Sequence, residues 1–512
     1  MKTLEQDDSP ERVNSPERRN SPERVNSLER VNSPELKNSP ELKNSPELNI
    51  PFITSHKDSD AIALMDDSGS LSYRELSKAV QRRADDWQRI INCDSRQRPL
   101  VMLFIDNSMT SVIDYLAALT LDYVVLLLNP NCTPATKAEY SSRLRPNVII
   151  DDGQFSLLHH EFQQIDPRLS LLLSTSGSTG AGKCVALSHH NITANCDAIL
   201  TYLPIEAEDI TLATLPLSYS YGLSVLHTHL SMGATVCFTR HSVFDKGFWN
   251  IVKHHPISSL SGVPSFYEML LRLRFTTMAL PHLRYFTQAG GKLAESCVTR
   301  LAKYAHQMDK AFYVMYGQTE ATARMAYLSP DKVMSKPNAV GKAIAGGEFK
   351  LVGNTARPGE GELYYRGDNV MLGYVSDAAD LDSFLTDEWL ATGDLAIQDA
   401  DGDYIITGRI KRMVKVAGER TNLDVIEQVF LDTLEQHSLL SPACVIGEDD
   451  KLIAVYAGEL SGEQRSCVIE SLSTSLSLPK RIIALNEVES LPLLSNGKVD
   501  YAGVSQLVMG VI

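Results

Sequence analysis

Between residue 50 and about residue 404 the chain alternates short, almost wholly apolar runs with longer stretches whose apolar residues fall at helical spacing. PLVMLFI, NVIID and SLLLS offer little to solvent, so each reads as a buried strand. LSYRELSKAVQRRADDWQRII places its apolar residues three and four apart, the spacing of a helix that lays one stripe on a core. That alternation predicts an α/β fold of parallel-rich sheets with covering helices. With 512 residues and 43% apolar content the chain can fill more than one core, and two or three domains are expected.

The alternation fails at both ends. Residues 9–49 repeat a hexapeptide, SPERVN drifting to SPELKN, with Leu28 in place of proline in one copy. Proline in nearly every copy breaks a helix by removing a donor and clashing with the preceding turn. Six residues are too few for a solenoid unit, and the apolar surface is too small for a core. Residues 1–49 are therefore expected to be a disordered, solvated tail; phosphorylation at its Ser-Pro sites, or tethering of a partner, is the functional alternative. Beyond about Tyr404 a second unit begins: GRIKRMVKVAG reads as a loop entering a strand, NLDVIEQVFLDTL as a helix opened by Asn422, and ACVIGEDDKLIAVYAGEL as a hairpin. The expected organisation is a tail over 1–49, a large domain over 50–408 and a small α+β domain over 409–512.

The totals exclude several functions. A formal charge of -15 argues against nucleic acid or an anionic membrane as a partner, since both reward a basic face. The eight cysteines, at 93, 132, 184, 196, 237, 297, 444 and 467, include no C-x-x-C pair, so neither a zinc cage nor a disulfide framework is suggested. Reduced thiols in a cytoplasmic protein fit better. The most hydrophobic stretch, DYLAALTLDYVVLLLNP, is interrupted by Asp114 and Asp122, and neither export nor a membrane span is expected.

LLLSTSGSTGAGKCVALSHHN at 171–191 carries the phosphate-cradling spacing G-x-x-x-x-G-K, with Cys184 where an NTPase P-loop needs a hydroxyl to ligate magnesium. In that P-loop the lysine opens a helix whose amides grip the phosphates. Here Lys183 is followed by CVALSHH, which suits a strand, and a helix is expected to start later, with Asn191 as its N-cap. The loop still suits an anion, because Ser174, Thr175, Ser176, Ser178 and Thr179 offer hydroxyls and Gly177 and Gly180 expose amides. A true P-loop would need a helix from Lys183.

STSGSTGAGKCVALSHHN, YGQTEATARM at 316–325, QAGGKLAES at 288–296, WLATGDLAIQDADGDYIITGR at 389–409, GRIKRMVKVAGER and LPLLSNGKVDY at 491–501 together resemble, in the same order and across residues 71–500, the signatures of the adenylate-forming enzymes. That superfamily includes acyl-CoA synthetases, nonribosomal-peptide adenylation domains and beetle luciferases. Its usual phosphate loop has Pro-Lys-Gly where this chain has Gly182, Lys183 and Cys184. The resemblance implies a large lobe with a small mobile C-terminal domain. It also implies that the loop residues Thr175 to Gly180 and Lys183 hold ATP phosphates, that Tyr316 and Gly317 face the adenine, and that Thr319 reaches a phosphate while Glu320 holds Mg2+. Gly290 and Gly291 would lie against the base or acyl group, Asp394 would bind the ribose hydroxyls with Arg409 nearby, and Lys498 would bridge the substrate carboxylate and the α-phosphate. Lys411 stands at the hinge position and Gly418 in the loop that lines the thiol tunnel. Arg412 reads as part of a solvated charged loop, Asp401 to Asp403 as a hairpin turn, and Cys184 as a packed small residue.

The implied reaction joins a carboxylic acid to ATP as acyl-AMP, then passes the acyl group to CoA or to the phosphopantetheine of an acyl-carrier protein. LPLSYSYGLSVLHTHLSMGA at 215–234 matches the segment that walls the acyl pocket, with Tyr219 as aromatic gate, Ser220 beside it and Gly222 following. Ser220 stands where amino-acid-activating relatives carry an aspartate, which argues against an α-amino acid. An amino-acid ligase that loads a carrier protein and a catalytically silent scaffold of the same fold are the alternatives.

Overall fold

The computed structural model describes residues 50–94, 97–175, 182–353, 357–416, 419–439, 441–448, 451–494 and 496–510. The repeat tail, the loop residues Ser176, Gly177, Ser178, Thr179 and Gly180, and Gly418 lie outside the described residues.

PLVMLFI, NVIID and SLLLS become the strands Leu100–Phe104, Val148–Asp151 and Leu169–Ser174 of one seven-stranded sheet. Four consecutive members of that sheet run parallel, and antiparallel strands close its edges. A second sheet of nine strands has six parallel neighbours at its centre. Side chains of a strand alternate between its two faces, and here the faces lead to different cores. Val101 and Leu103 meet Ala213, Val236 and Phe238 of the other sheet in one core. Leu100, Met102 and Phe104 point the opposite way, into another. The helices Met109–Thr120 and Ser220–Ser231 contribute to the shared core, which explains their apolar character on nearly every side.

The helix predicted from LSYRELSKAVQRRADDWQRII spans Tyr73–Ile91. Ser72 accepts from the Glu75 amide while Glu75 accepts from the Ser72 amide, a reciprocal cap worth about 1 kcal/mol. Its buried stripe is Tyr73, Leu76, Val80, Ala84, Trp87 and Ile91. The helix after the glycine loop corrects the sequence reading. It spans His189–Leu200 and its cap is Ser188; Asn191 is the third residue, whose side chain reaches back to the Ser188 amide at 2.8 Å. A hydroxyl three residues ahead of an amide-bearing side chain makes the better cap because both orphan donors are then satisfied.

Residues 348–409 form a four-stranded antiparallel sheet that ends in the strand Tyr404–Arg409, so the chain departs from that sheet later than Tyr404. Asp401 to Asp403 make its hairpin turn, held by Lys332 and Lys336. Next come a turn at Ile410–Arg412, a two-stranded ribbon, the helix Leu423–Gln436 capped by Asn422, and a three-stranded sheet. Phe430, Val445, Ala454 and Leu485 fill the core under that sheet.

Arg412 is not solvated. Its side chain is 13% exposed, paired with Asp424 at 2.7 Å and Glu427 at 3.0 Å, and stacked 3.9 Å from the centroid of Tyr501. Glu427 also accepts from the Val445 amide and the Tyr501 hydroxyl, each at 2.8 Å. One guanidinium thus ties a helix, a strand and the last helix of the chain together, a three-way contact that the local run of basic residues did not disclose. Removing one partner of such a pair strands the other in low dielectric. Arg412→Ala is expected to lower stability by roughly 2–3 kcal/mol in urea titrations, while Lys411→Ala, whose side chain is exposed, leaves the midpoint in place.

Candidate active site

The neck of the glycine loop is closed by Thr175, whose amide and hydroxyl both donate to the Lys183 carbonyl, at 3.0 and 2.8 Å. Lys183 then enters the strand Cys184–Ser188, antiparallel to the strand before the loop. No helix begins at Lys183, so the chain does not carry an NTPase P-loop. Cys184 is buried in that strand, its thiol pushed up to about 12 by desolvation, and it packs as a small residue. The Lys183 ammonium lies 5.5 Å from the ring centroid of Tyr374, on the strand paired with Cys184–Ser188.

Tyr316 ends the strand Ala311–Tyr316 of the large sheet. Gly317 follows because the chain doubles back there and a Cβ would collide with the Ala323 carbonyl. The short turn Thr319–Ala321 carries Thr319 and Glu320. Thr319 lies 3.4 Å from the Ser220 hydroxyl, and Glu320 accepts from the Tyr374 hydroxyl at 2.8 Å. Tyr219 occupies the N-cap position of the helix Ser220–Ser231, and Gly222 sits in its first turn.

Asp394 and Arg409 face each other across the register of the antiparallel sheet. The Asp394 carboxylate accepts from the Tyr316 hydroxyl at 2.5 Å and from Arg409 Nε at 3.2 Å. Desolvation pushes this carboxyl up, and Arg409 with the Tyr316 hydroxyl opposes the rise. Lys498 rides a turn in which the Leu494 amide donates to the Lys498 carbonyl, and Ser265 of the large sheet's covering helix donates to Gly497 at 2.8 Å. Its ammonium is 5.4 Å from the Tyr219 ring centroid. Burial first, and repulsion from Arg409 second, lower the Lys498 pKa to about 8 against the opposing pull of Glu320 and Asp394. Residues almost two hundred positions apart in sequence thus feel one another's charge.

Lys498, Glu320, Thr319, Tyr316, Asp394, Arg409, Tyr219, Ser220 and Gly290 are brought to one crevice. Lys411 stays outside it on an exposed turn, and Gly291 faces Pro264. Sequence reasoning missed Tyr374, which joins Lys183 to Glu320, and Arg324, buried beneath the helix that carries Tyr219. Tyr374 left no signal. Arg324 did leave one, as the only charged residue in the small-residue run after Glu320.

Over 362 residues the chain is 30% identical to an indoleacetate–CoA ligase of Aromatoleum aromaticum, covering 67% of this chain and 68% of that protein. The family model described as AMP-binding enzyme matches residues 158–375. The chain belongs to the AMP-binding enzymes. It is an ATP-dependent acid–thiol ligase of that family. A 2-succinylbenzoate–CoA ligase of Listeria monocytogenes is 23% identical over 85% of this chain and 94% of its own length. The AMP-binding fold is matched by the o-succinylbenzoate CoA synthetase of Bacillus subtilis, solved with its acyl-adenylate, at a TM-score of 0.73, 20% identity, and coverage of 91% of this chain and 98% of that one. Among the described residues no helix is long and apolar enough to cross a membrane.

Gly290 shows how tightly this crevice is built. Its φ is +89°, and a Cβ there would stand 2.6 Å from the Tyr219 hydroxyl and 3.5 Å from Lys498 Cε. Gly290→Ala is expected to cost about 1–3 kcal/mol in thermal unfolding and to depress activity by displacing Tyr219. Adding Tyr219→Phe, which removes the clashing oxygen, should recover part of the stability but not the cost of the backbone angle.

Proposed function

We propose that the crevice binds Mg-ATP and a carboxylic acid side by side and forms acyl-AMP with release of pyrophosphate, with Lys498 as the residue that stabilises charge at the reacting centre. The convergence of Lys498, Arg409, Asp394, Tyr316 and Glu320 from two sheets, the turn after Tyr316 and a C-terminal turn carries this reading. The acid's carboxylate oxygen attacks the α-phosphorus, the bond to the pyrophosphate oxygen breaks, and negative charge builds on the phosphoryl oxygens. The protein contributes position and neutralising charge. Asp394 accepts from the ribose hydroxyls, Tyr316 stacks on the adenine, and Thr319 with the hydroxyls and lysine of the loop from Thr175 to Lys183 donates to the phosphates. Glu320 presents a carboxylate with one oxygen held by Tyr374, an oxygen donor that suits Mg2+, whose role when bound is to neutralise phosphate charge. Ser220, with no charge to pair an α-ammonium, favours an acid lacking one.

We assign the second step, attack by a thiol on the acyl carbon with AMP leaving, to CoA, because the relatives are CoA ligases; transfer to a carrier phosphopantetheine is the other outcome of an acceptor assay. Residues 409–512 act as a small domain that turns about Lys411 between the two steps, withdrawing Lys498 and bringing the Gly418 loop to the thiol.

Lys498→Ala is expected to reduce acyl-AMP formation on the order of a hundredfold or more in ATP–pyrophosphate exchange across fatty, aromatic, hydroxy and amino acids, with an unchanged circular dichroism spectrum. Exchange that survives intact removes Lys498 from the reaction. The same lysine sets a pH limit. Its ammonium in the free enzyme is lost as pH rises through about 8 rather than 10.5, so kcat/KM for adenylation should fall above pH 8, and a profile flat to pH 10 would contradict the assignment.

A further inference from the structure

Six charged side chains are among the buried residues, namely Asp114, Asp166, Asp209, Arg324, Asp394 and Asp403. Each aspartate has a cation, in order Arg83, Arg168, Arg284, Arg409 and Lys336. Arg324, 2% exposed, has no carboxylate partner among the described residues. A buried guanidinium left unpaired is costly, far more so than any surface pair is favourable. Its Nη1 donates to the Ser224 hydroxyl and its Cζ lies 4.2 Å from the Tyr221 ring centroid. Its Nε is buried without any hydrogen-bond partner.

The surroundings hold this group in place. Asn195 and Asn369, both buried, each donate to the Arg324 carbonyl at 2.9 Å. Two residues earlier, Thr322 adopts φ +64°, a conformation that β-branched residues avoid, locked by its hydroxyl bond to the Asn369 carbonyl at 2.7 Å. A backbone fixed by two buried amides, carrying a guanidinium whose Nε has no partner, fits a ligand clamp better than a packing filler.

Contacts run from Arg324 to the reacting centre without a break. Ser220, Tyr221 and Ser224 share a face of the helix Ser220–Ser231. Ser220 touches Thr319, while Tyr221 and Ser224 touch Arg324. Tyr221 meets Tyr219 edge-on with centroids 6.2 Å apart, and Tyr219 lies under the Lys498 ammonium. The guanidinium therefore forms the floor beneath the gate at which the acid is activated.

We infer that Arg324 is the specificity residue of the acyl site and that the acid activated here is a short one bearing a second carboxylate, which pairs with the guanidinium while its other carboxylate faces Lys498. This rests on the ligase reading above. A fork of donors from arginine suits a carboxylate in two parallel bonds, and the path from Arg324 through the Tyr221 and Tyr219 rings to the Lys498 ammonium, with steps of 4.2, 6.2 and 5.4 Å, suits a short chain.

The test compares straight-chain dicarboxylates of three to six carbons with monocarboxylates of equal length in ATP–pyrophosphate exchange. The wild-type enzyme is expected to favour a dicarboxylate by on the order of a hundredfold in kcat/KM, and that acid to raise the Tm. Arg324→Leu should lose this preference and shift toward the monocarboxylate; Arg324→Lys should raise KM for the dicarboxylate more than it lowers kcat. Exchange with fatty or aromatic monocarboxylates but no short dicarboxylate overturns the inference and leaves the ligase reading intact. Exchange with no acid overturns both. If Arg324→Leu does not fold, the wild-type preference and the Tm shift decide the matter.

Discussion

The Asp394 carboxylate is the point on which the site depends. It sits 10% exposed between the hydroxyl that ends a strand of the large sheet and the guanidinium that ends the antiparallel sheet. Two sheets therefore meet at one buried negative charge, beside the core they share through Ala326, Phe349 and Leu363. That charge also limits how strongly Arg409 and Lys498 repel each other. Without it two cations would share a low-dielectric crevice with only Glu320 to balance them, and the cost of burying them would rise steeply.

The two lobes of this balance are built differently. Tyr316, Glu320 and Asp394 stand on or beside strands fixed by ladder bonds and by apolar cores on both faces. Lys498 stands on a turn held to the large lobe by the Ser265 bond and by side-chain contacts at Gly290 and Tyr219. A few such contacts hold a position firmly enough for chemistry, and they can be released at far less cost than a sheet. Arg412 supplies the complementary rigidity, binding the segment after Lys411 to its own helix and to Tyr501, so that a turn about Lys411 would move a body and not a frayed loop.

Much of the fold was legible because burial on both sides of a strand leaves an unmistakable apolar run, as in VVLLL at 124–128. The charge-bearing motifs were legible for another reason. Glycine beside Thr, Glu or Lys marks backbone that must turn tightly next to a polar group, and Gly290 and Gly317 both meet that demand. Arg412 was misread because its deciding partner, Glu427, lies on a helix beyond the basic run, and the cap because Ser188, three residues ahead of Asn191, reads equally well as the end of the strand. Tyr374 escaped notice because a lone tyrosine on a strand looks the same whether buried or exposed; Arg324 was marked only by its place in a run of small residues, which does not say whether a carboxylate meets it.

From the sequence alone came the α/β class, which follows from periodicity, and the order of the glycine-bearing motifs, which neighbouring residues express; the kind of reaction came from the resemblance of those motifs to the adenylate-forming enzymes. Tertiary structure decided which charges meet. Pairings such as Tyr316 with Asp394 and Lys498 with Tyr219, and the lack of a carboxylate beside Arg324 among the described residues, depend on contacts between residues far apart in the chain, and electrostatic energy depends on distance and burial in space, neither of which a linear pattern records.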